Sequence, residues 1–203
     1  MKSNIKEIIQ TILMAVIIFF ILQKTMMGFV VEGSSMEPNL HTGQRLLVNK
    51  AVYFNTSVPF FTRTLPGLKK TGDVGYFFHP PQRGEVIVFY FPRDPRQIYI
   101  KRVIGLPGDT VELRESRVYI NGQRLEEPSS IPATWTSYGP MTVPPNRYFV
   151  LGDNRNGSSD SRTGWTVPYE NIIGKGFVIY WRPADWGMVP NFDLPLARAS
   201  QNP

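Results

Sequence analysis

The residues that could carry out chemistry form three short clusters, and the first is a glycine turn with two serines. Residues 33–38 read GSSMEP and directly follow the strand-like run 29–32 (FVVE). Because glycine permits a tight turn, the next residues can present a hydroxyl and a backbone N–H toward one point, as a nucleophile and an oxyanion donor require. Ser34 with Glu37 also fits a helix capping box, so a structural role stays open.

The second cluster is a lysine within an apolar strand pattern, in residues 99–109 (YIKRVIGLPGD). Alternate residues of a strand face opposite sides, so Lys101 shares a face with Tyr99 while Arg102 points the other way. A lysine with the ordinary pKa of about 10.4 is almost never neutral at pH 7, and a general base needs a pKa of about 7–8. Burial can lower the pKa of a lysine that far, whereas an arginine cannot be tuned in this way. Lys101 is therefore a candidate general base.

The third cluster is a polar loop, residues 152–162 (GDNRNGSSDSR), after the apolar run 148–151. Its oxygen-bearing side chains, Asp153, Asn154 and Asp160, could bind calcium. The spacing does not match an EF-hand, however, and two arginines in a cation site would be unfavourable. We expect a hydrogen-bonded support instead, in which Asp160 pairs with Arg162 or Arg102 and a serine hydroxyl orients the lysine amine.

Composition excludes several other kinds of site. The 203 residues include no Cys and only two His, His41 and His79. A thiol nucleophile, a disulfide framework and a cysteine zinc site are therefore impossible, and a histidine metal site is not expected. The formal charge of +6 is spread along the chain without a run of four basic residues, so no nucleic-acid partner is expected. The sequence predicts neither a metal nor a cofactor.

The N-terminal region predicts a membrane anchor. Residues 8–22 read IIQTILMAVIIFFIL, with Lys2 and Lys6 before them and Lys24 after them. A cleavable signal sequence is the alternative, but no pair of small residues at cleavage spacing follows the apolar run. We therefore predict a cytoplasmic segment over 1–7 and an uncleaved transmembrane anchor over 8–27. The positive-inside rule then places a catalytic domain over 28–203 outside the cytoplasm.

Beyond the anchor, short β-type runs are separated by turns, which is typical of an all-β barrel or sandwich. Asn121 and Gly122 predict a hairpin with a type I′ turn. Two proline-rich stretches, 54–84 and 126–146, interrupt the regular alternation of strands and turns and are interpreted as insertions. Aromatic residues in 58–61 and 76–78 would either dip into a membrane interface or pack on the barrel. The predicted strands are 29–32, 45–49, 85–91, 97–104, 110–114, 117–120, 147–151 and 172–181.

Taken together, the three clusters resemble those of type I signal peptidases, the membrane-anchored Ser/Lys proteases that remove signal peptides from exported proteins. The matching segments are spread over most of the chain and follow one another in the same order as in the family. It implies a mainly β catalytic domain, a signal-peptidase-type barrel or sandwich, with one N-terminal transmembrane helix. It rests on the anchor and on VEGSSMEPNL at 31–40, TGQRLLVNKAVY at 42–53, RGEVIVF at 83–89, YIKRVIGLPGD at 99–109 and GDNRNGSSDSR at 152–162.

The resemblance also implies roles for particular residues. Ser35 is expected as the nucleophile and Lys101 as the general base. Some family members carry a serine in place of Gly33, whose hydroxyl helps the oxyanion hole, so here the Ser35 N–H is the expected donor. The supporting residues would be Ser158, as the hydrogen-bond partner of the lysine, and the charged network of Asp160, Arg162 and Arg102.

The substrate is expected to be a preprotein that lies extended beside 29–32 and 98–100. Members of the family accept small residues, typically Ala, at the first and third positions before the cut. The other expected partner is the lipid bilayer of the inner or plasma membrane, or of a thylakoid, and the protein is expected to be a monomer. The candidate pocket walls, each of which could instead be barrel core, are Phe29, Val31, Met36, Leu40, Ile98, Tyr99 and Ile100.

Two rival interpretations stay open at this point. One is a catalytically inactive, membrane-anchored β module that binds exported polypeptides without cutting them. The other is a self-cleaving Ser/Lys regulator of the repressor type. The second rival needs an N-terminal helical unit that reads DNA, and the apolar N-terminus argues against it.

Overall fold

One long helix and fifteen β-strands make up the described part of the chain. The computed structural model describes residues 2–56, 69–71, 74–76 and 78–197. Four single-turn 3-10 helices lie at Ala51–Tyr53, Ser161–Thr163, Tyr169–Asn171 and Pro183–Asp185. The helix is α1 (Lys2–Thr25), and the strands are β1 (Met26–Val30), β2 (Arg45–Asn49), β3 (Asn55–Thr56), β4 (Lys69–Thr71), β5 (Val74–Tyr76), β6 (Val86–Tyr90), β7 (Ile98–Gly105), β8 (Thr110–Arg114), β9 (Arg117–Ile120), β10 (Gln123–Arg124), β11 (Tyr138–Thr142), β12 (Arg147–Leu151), β13 (Val167–Pro168), β14 (Ile172–Trp181) and β15 (Gly187–Met188).

Helix α1 contains the apolar run of the predicted anchor. Its segment Ile5–Thr25 is long and apolar enough to cross a membrane, and none of it is buried against the rest of the protein. The helix ends at Thr25, two residues before the predicted end of the anchor. Met26 and Met27 lie instead in β1, because Met26 pairs with Asn49 and Met27 with Val48 of β2.

The main sheet has the order β1-β2-β14-β6-β7-β12-β13, with β15 added beside β14. All strand pairs described in this sheet are antiparallel. The mainly β fold is as the sequence predicts, and β2, β8, β9, β12 and β14 have the predicted bounds. Strand β1 starts three residues before the predicted 29–32 and ends two residues earlier.

A second sheet has the order β10-β9-β8-β11. Its hairpin turns at Asn121 and Gly122, whose φ angles of 52° and 80° are those that a type I′ turn requires. Strand β11 lies within the stretch 126–146 and pairs with β8. That predicted insertion therefore contributes a strand to the second sheet.

The other predicted insertion, 54–84, contains a small sheet of order β3-β5-β4. The aromatic residues at 58–61 lie outside the described residues. Of the aromatic group at 76–78, Phe78 is described with its side chain, which is exposed.

The hydrophobic core lies beneath residues 33–38, the glycine turn with two serines, and anchors this turn at both ends. Val31, Met36 and Leu40 are 1%, 0% and 0% exposed and pack with Leu46 of β2 and Val86 of β6. A turn held by three buried side chains presents the hydroxyl between them in a fixed place.

Candidate active site

Ser35 lies at the start of a tight turn after β1. Gly33, two residues earlier, has a φ of +77°, which a side chain rarely adopts, so the turn needs glycine at that position. Backbone bonds from Glu37 N to the Ser34 carbonyl and from Leu40 N to the Met36 carbonyl close the turn at 3.1 and 2.9 Å. Among the described residues, nothing accepts a hydrogen bond from the Ser35 N–H.

Lys101 lies in the middle of β7 and points at Ser35. Its side chain is buried, at 4% exposure. The Nζ atom lies 2.7 Å from Ser35 Oγ and 2.9 Å from the Ile100 carbonyl oxygen. It also sits 5.4 Å from the centre of the Tyr99 ring. The sheet therefore brings together two residues that are 66 positions apart in sequence.

Burial lowers the pKa of Lys101 to about 8, and the charges of Asp160 and Asp153 only partly oppose that effect. About one molecule in ten then carries a neutral amine at pH 7. When the amine is charged it donates to Ser35 Oγ, and when it is neutral the hydroxyl can donate to Nζ instead. The second arrangement is the one that a general base requires.

The polar loop 152–162 holds the Ser35 turn from the other side. Asn154 donates from its backbone N to the Ser35 carbonyl at 3.0 Å and from Nδ2 to the Ser34 carbonyl at 3.2 Å. Gly152 lies so close that a Cβ on it would be 2.4 Å from the Ser35 carbonyl oxygen. The residue types alone did not identify this role, since an Asn in a polar loop looks like any turn residue.

Arg102 forms its ion pair with Asp153, and not with Asp160, for which the sequence left Arg102 and Arg162 open as partners. Nε and Nη2 of Arg102 donate to the two Asp153 oxygens at 2.7 and 2.6 Å, and both side chains are 0% exposed. The register explains the choice, because Leu151 of β12 pairs with Arg102 and Asp153 follows two residues later. Asn39 also donates to Asp153, at 2.9 Å, so the pair reaches the Ser35 turn.

Asp160 pairs with Arg162, the other partner that the sequence allowed. Two bonds of 2.8 Å join the guanidinium to the carboxylate, and Gly152 N donates to the same carboxylate at 3.0 Å. The buried Asp160 therefore fixes the loop beside Ser35 and Lys101.

The Ser158 hydroxyl does not contact the lysine amine as predicted. It is buried and has no hydrogen-bond partner among the described residues. It packs against Gly152, where an added Cβ would lie 2.2 Å from Ser158 Oγ. The Lys101 amine meets Ser35 Oγ and the Ile100 carbonyl instead.

A cleft of about 650 Å³ opens over Ser35 and Lys101. Four of the predicted walls line it, namely Phe29, Ile98, Tyr99 and Ile100. The sequence did not single out the rest of the lining, which is Gly28, Val30, Glu32, Arg96, Gln97 and Ser159.

The other three predicted walls, Val31, Met36 and Leu40, do not line this cleft. They belong to the hydrophobic core, because the side chains that anchor the Ser35 turn must point inward. The core packing is the alternative that the sequence left open for them, and a contribution of these three residues to a substrate pocket stays a prediction.

Two strand edges flank the cleft. Strand β1 is at the end of the main sheet. Strand β12 pairs with β7 only over 102–105, so within the described strands residues 98–101 are paired on the β6 side alone. An extended peptide can hydrogen-bond to such edges.

Neither histidine lies in the cleft. His41 Nδ1 contacts Glu37, and His79 Nδ1 lies 2.8 Å from the Pro80 carbonyl oxygen. Imidazole is therefore not available to Ser35, and the lysine amine is the base within reach.

Comparisons with known proteins place the chain in one family. A family model described as "Signal peptidase, peptidase S26" matches residues 5–181. The probable signal peptidase I-1 of Synechocystis sp. is 33% identical over 99% of this chain and 93% of its own length. Signal peptidase I of Leptolyngbya laminosa is 37% identical over 80% of this chain and 73% of its own length.

Further comparisons come from other bacteria. Signal peptidase I U of Bacillus subtilis (strain 168) is 35% identical over 89% of this chain and 90% of its own length. A solved signal peptidase I from Enterococcus faecalis V583 is 37% identical, with a TM-score of 0.42, over 48% of this chain and 97% of that one. The family match and the relatives at more than 30% identity over most of the chain show that it belongs to the signal peptidase family, peptidase S26, and is a serine protease.

Proposed function

We propose that this chain removes N-terminal signal peptides from exported preproteins, with Ser35 as the nucleophile and Lys101 as the general base. The observation that carries the proposal is the 2.7 Å contact between Lys101 Nζ and Ser35 Oγ at the floor of the cleft. The lowered pKa of Lys101, about 8, supports it, because a neutral amine is then available near neutral pH.

The reaction starts when Nζ of neutral Lys101 takes the hydroxyl proton of Ser35 as Oγ attacks the scissile carbonyl carbon. The carbonyl electron pair moves onto oxygen, and its return breaks the C–N bond while the Lys101 ammonium protonates the leaving amine. Water then attacks the ester, again losing a proton to Lys101. Collapse breaks the bond to Oγ, the proton returns to Ser35, and the signal peptide leaves as a carboxylic acid.

The backbone N–H of Ser35 is the proposed donor to the oxyanion. It has no acceptor among the described residues, so it is available to the substrate. Gly33 offers no side chain, but its φ of +77° sets the direction of the turn. We assign Ser158 a supporting role. Its buried hydroxyl lies beside Gly152, next to the turn, and among the described residues it has no hydrogen-bond partner, so it can still donate or accept a bond there.

The proposed substrate lies extended between β1 and residues 98–101, hydrogen-bonded to both strand edges. Phe29, Tyr99 and Ile100 narrow the cleft beside Ser35, which favours small side chains such as Ala near the cut. Glu32 and Arg96 lie in the same cleft and provide opposite charges for polar positions of the substrate.

The chain is proposed to act as a monomer anchored in the inner or plasma membrane, or in a thylakoid membrane, by α1. Lys6, which precedes the apolar run 8–22, favours a cytoplasmic N-terminus and an extracytoplasmic catalytic domain. Strand β1 follows α1 directly, so the cleft lies close to the membrane, where the end of an inserted signal peptide emerges.

Cleavage of a purified preprotein by Ser35→Ala and Lys101→Met tests the proposal. Each variant should lower the cleavage rate by at least about a thousandfold, because nucleophile and base act as one unit. Appreciable cleavage by either variant would overturn the assignment. Binding of the preprotein by the wild-type chain without cleavage would favour the inactive β module.

Two matched controls accompany this experiment. Ser34→Ala changes the neighbouring exposed serine, whose backbone carbonyl accepts its hydrogen bonds from Glu37 and Asn154, and should cleave at close to the normal rate. The double variant His41→Ala/His79→Ala should also retain activity. A large loss in the double variant would show that a histidine is the base.

A further inference from the structure

A second cavity, separate from the catalytic cleft, lies where α1 meets the β domain. Its volume is about 510 Å³, which is within the range of small-molecule sites. It combines two cationic side chains with Thr25 and three apolar residues. The lining residues are Lys24, Thr25, Lys50, Ala51, Phe54 and Phe78.

The backbone brings the two lysines to this cavity from distant parts of the sequence. Lys24 lies in the last turn of α1. Lys50 follows β2, and its backbone N donates to the carbonyl of Thr25, the last residue of α1, at 2.8 Å. The pairing of β1 with β2 therefore places a second cation at the end of the membrane helix.

No carboxylate neutralises either lysine. Among the residues that the structure describes, neither Lys24 nor Lys50 lies within 4.0 Å of an acidic oxygen. The negative end of the helix dipole accounts for a cation at Lys24. It does not require a second cation at Lys50, so the site has positive charge available for an anion.

The apolar part of the cavity faces outward. Phe54 and Phe78 are each 59% exposed. Large exposed apolar groups beside a polar rim are typical of a membrane or ligand contact. The 21 residues of Ile5–Thr25 span about 31 Å at 1.5 Å per residue, close to the thickness of a hydrocarbon core. Thr25 and the cavity then lie at the boundary between acyl chains and headgroups.

From these observations we infer that the cavity binds an anionic phospholipid of the bilayer, with the lipid phosphate between the Lys24 and Lys50 ammonium groups and an acyl chain along Phe54 and Phe78. A free phosphate would make no use of the apolar part of the cavity. A zwitterionic lipid would bring a cation of its own to the lysines. The inference rests on the proposed membrane anchoring, and it does not rest on the peptidase reaction.

The test is lipid binding by the purified full chain in detergent, measured by native mass spectrometry with equimolar phosphatidylglycerol and phosphatidylcholine of identical acyl chains. The wild-type chain should retain phosphatidylglycerol preferentially. A lysine near an anionic lipid contributes about fivefold in affinity, so Lys24→Gln/Lys50→Gln should lower the preference by about 25-fold. Equal retention of the two lipids by the wild-type chain would overturn the proposal.

A matched control removes two positive charges at a different place on the protein. Arg117→Gln/Arg124→Gln changes two exposed residues of the β9-β10 hairpin and should keep the preference. If this variant loses the preference as well, net charge and not the cavity selects the lipid. Excess inorganic phosphate should not displace the lipid, and Phe54→Ala/Phe78→Ala should weaken its retention. Displacement by phosphate would show a simple phosphate site and contradict the proposal.

Two further measurements separate this inference from the proposed function. Ser35→Ala should bind phosphatidylglycerol as the wild-type chain does. Lys24→Gln/Lys50→Gln should cleave a short soluble peptide substrate at the normal rate, which also shows that the variant is folded. Loss of lipid preference in Ser35→Ala would contradict an independent lipid site.

Discussion

At the residue scale, the proposed mechanism depends on how far burial lowers the pKa of the Lys101 amine. The proposed mechanism requires neutral Lys101, whose pKa is about 8. We expect kcat/KM for a preprotein to rise about tenfold per pH unit below pH 8 and to level off above it, because the neutral fraction does the same. A profile of kcat/KM from about pH 5.5 to 10 measures this. A flat profile, or a midpoint near pH 6.5 as for histidine, would contradict Lys101 as the base.

The control for this profile is Lys101→Arg, which keeps the charge but holds the proton throughout the range. It should be inactive at every pH tested. Recovery of Lys101→Arg at high pH would mean that another group removes the Ser35 proton.

The family resemblance chose Ser35 as the nucleophile. Residue types and spacing marked only the two-serine glycine turn and the lysine of an apolar strand as candidates. They could not predict which apolar neighbours line the cleft. Val31, Met36 and Leu40 are as apolar as Phe29, and only the folded turn decides that they point into the core. The partner of Arg102 likewise depends on the register between β7 and β12.

At the element scale, alternating apolar residues predicted the long strands well, since β-branched and aromatic residues favour a pleated and half-buried surface. Strand β11 was missed because Tyr138–Thr142 contains Gly139 and Pro140, which argue against a strand. It forms at the edge of the second sheet, and its pairing with β8 is irregular between Tyr138 and Met141.

The Ser35 turn and the 152–162 loop approach each other too closely at Gly152 to leave room for a side chain. Gly152→Ala would put a Cβ 2.4 Å from the Ser35 carbonyl oxygen and 2.2 Å from Ser158 Oγ, so the two elements must move apart. A displacement of about 1 Å at a catalytic group can cost a hundredfold in rate, and we expect a loss of that order in kcat. Steady-state cleavage of a preprotein measures it.

Gly187→Ala is the matched control, because the nearest atom to an added Cβ there is 4.0 Å away. It should leave kcat unchanged within about twofold, and both variants should have similar thermal midpoints. Normal activity in Gly152→Ala would show that the close approach of the two elements is not needed for catalysis.

At the scale of the whole molecule, Arg102 connects parts of the chain that are far apart in sequence. Besides its two bonds to Asp153, its Nη1 donates to the carbonyls of Gly84 and Pro190 at 2.6 and 2.8 Å. The guanidinium also lies 4.2 Å from the centre of the Phe192 ring. One buried cation therefore joins β7, the polar loop and the C-terminal segment.

We expect Arg102→Met to lower the free energy of unfolding by about 3–5 kcal/mol, because it leaves the Asp153 carboxylate buried and unpaired. Urea unfolding of the full chain in detergent, followed by tryptophan fluorescence, measures this. Arg102→Met/Asp153→Leu should recover at least half of the loss, since the unpaired charge is then gone. Arg117→Met, at an exposed position, is the control and should change stability by less than about 0.5 kcal/mol. If the single and double variants at Arg102 are equally destabilised, the carbonyl contacts of the guanidinium carry the stability and the ion pair does not.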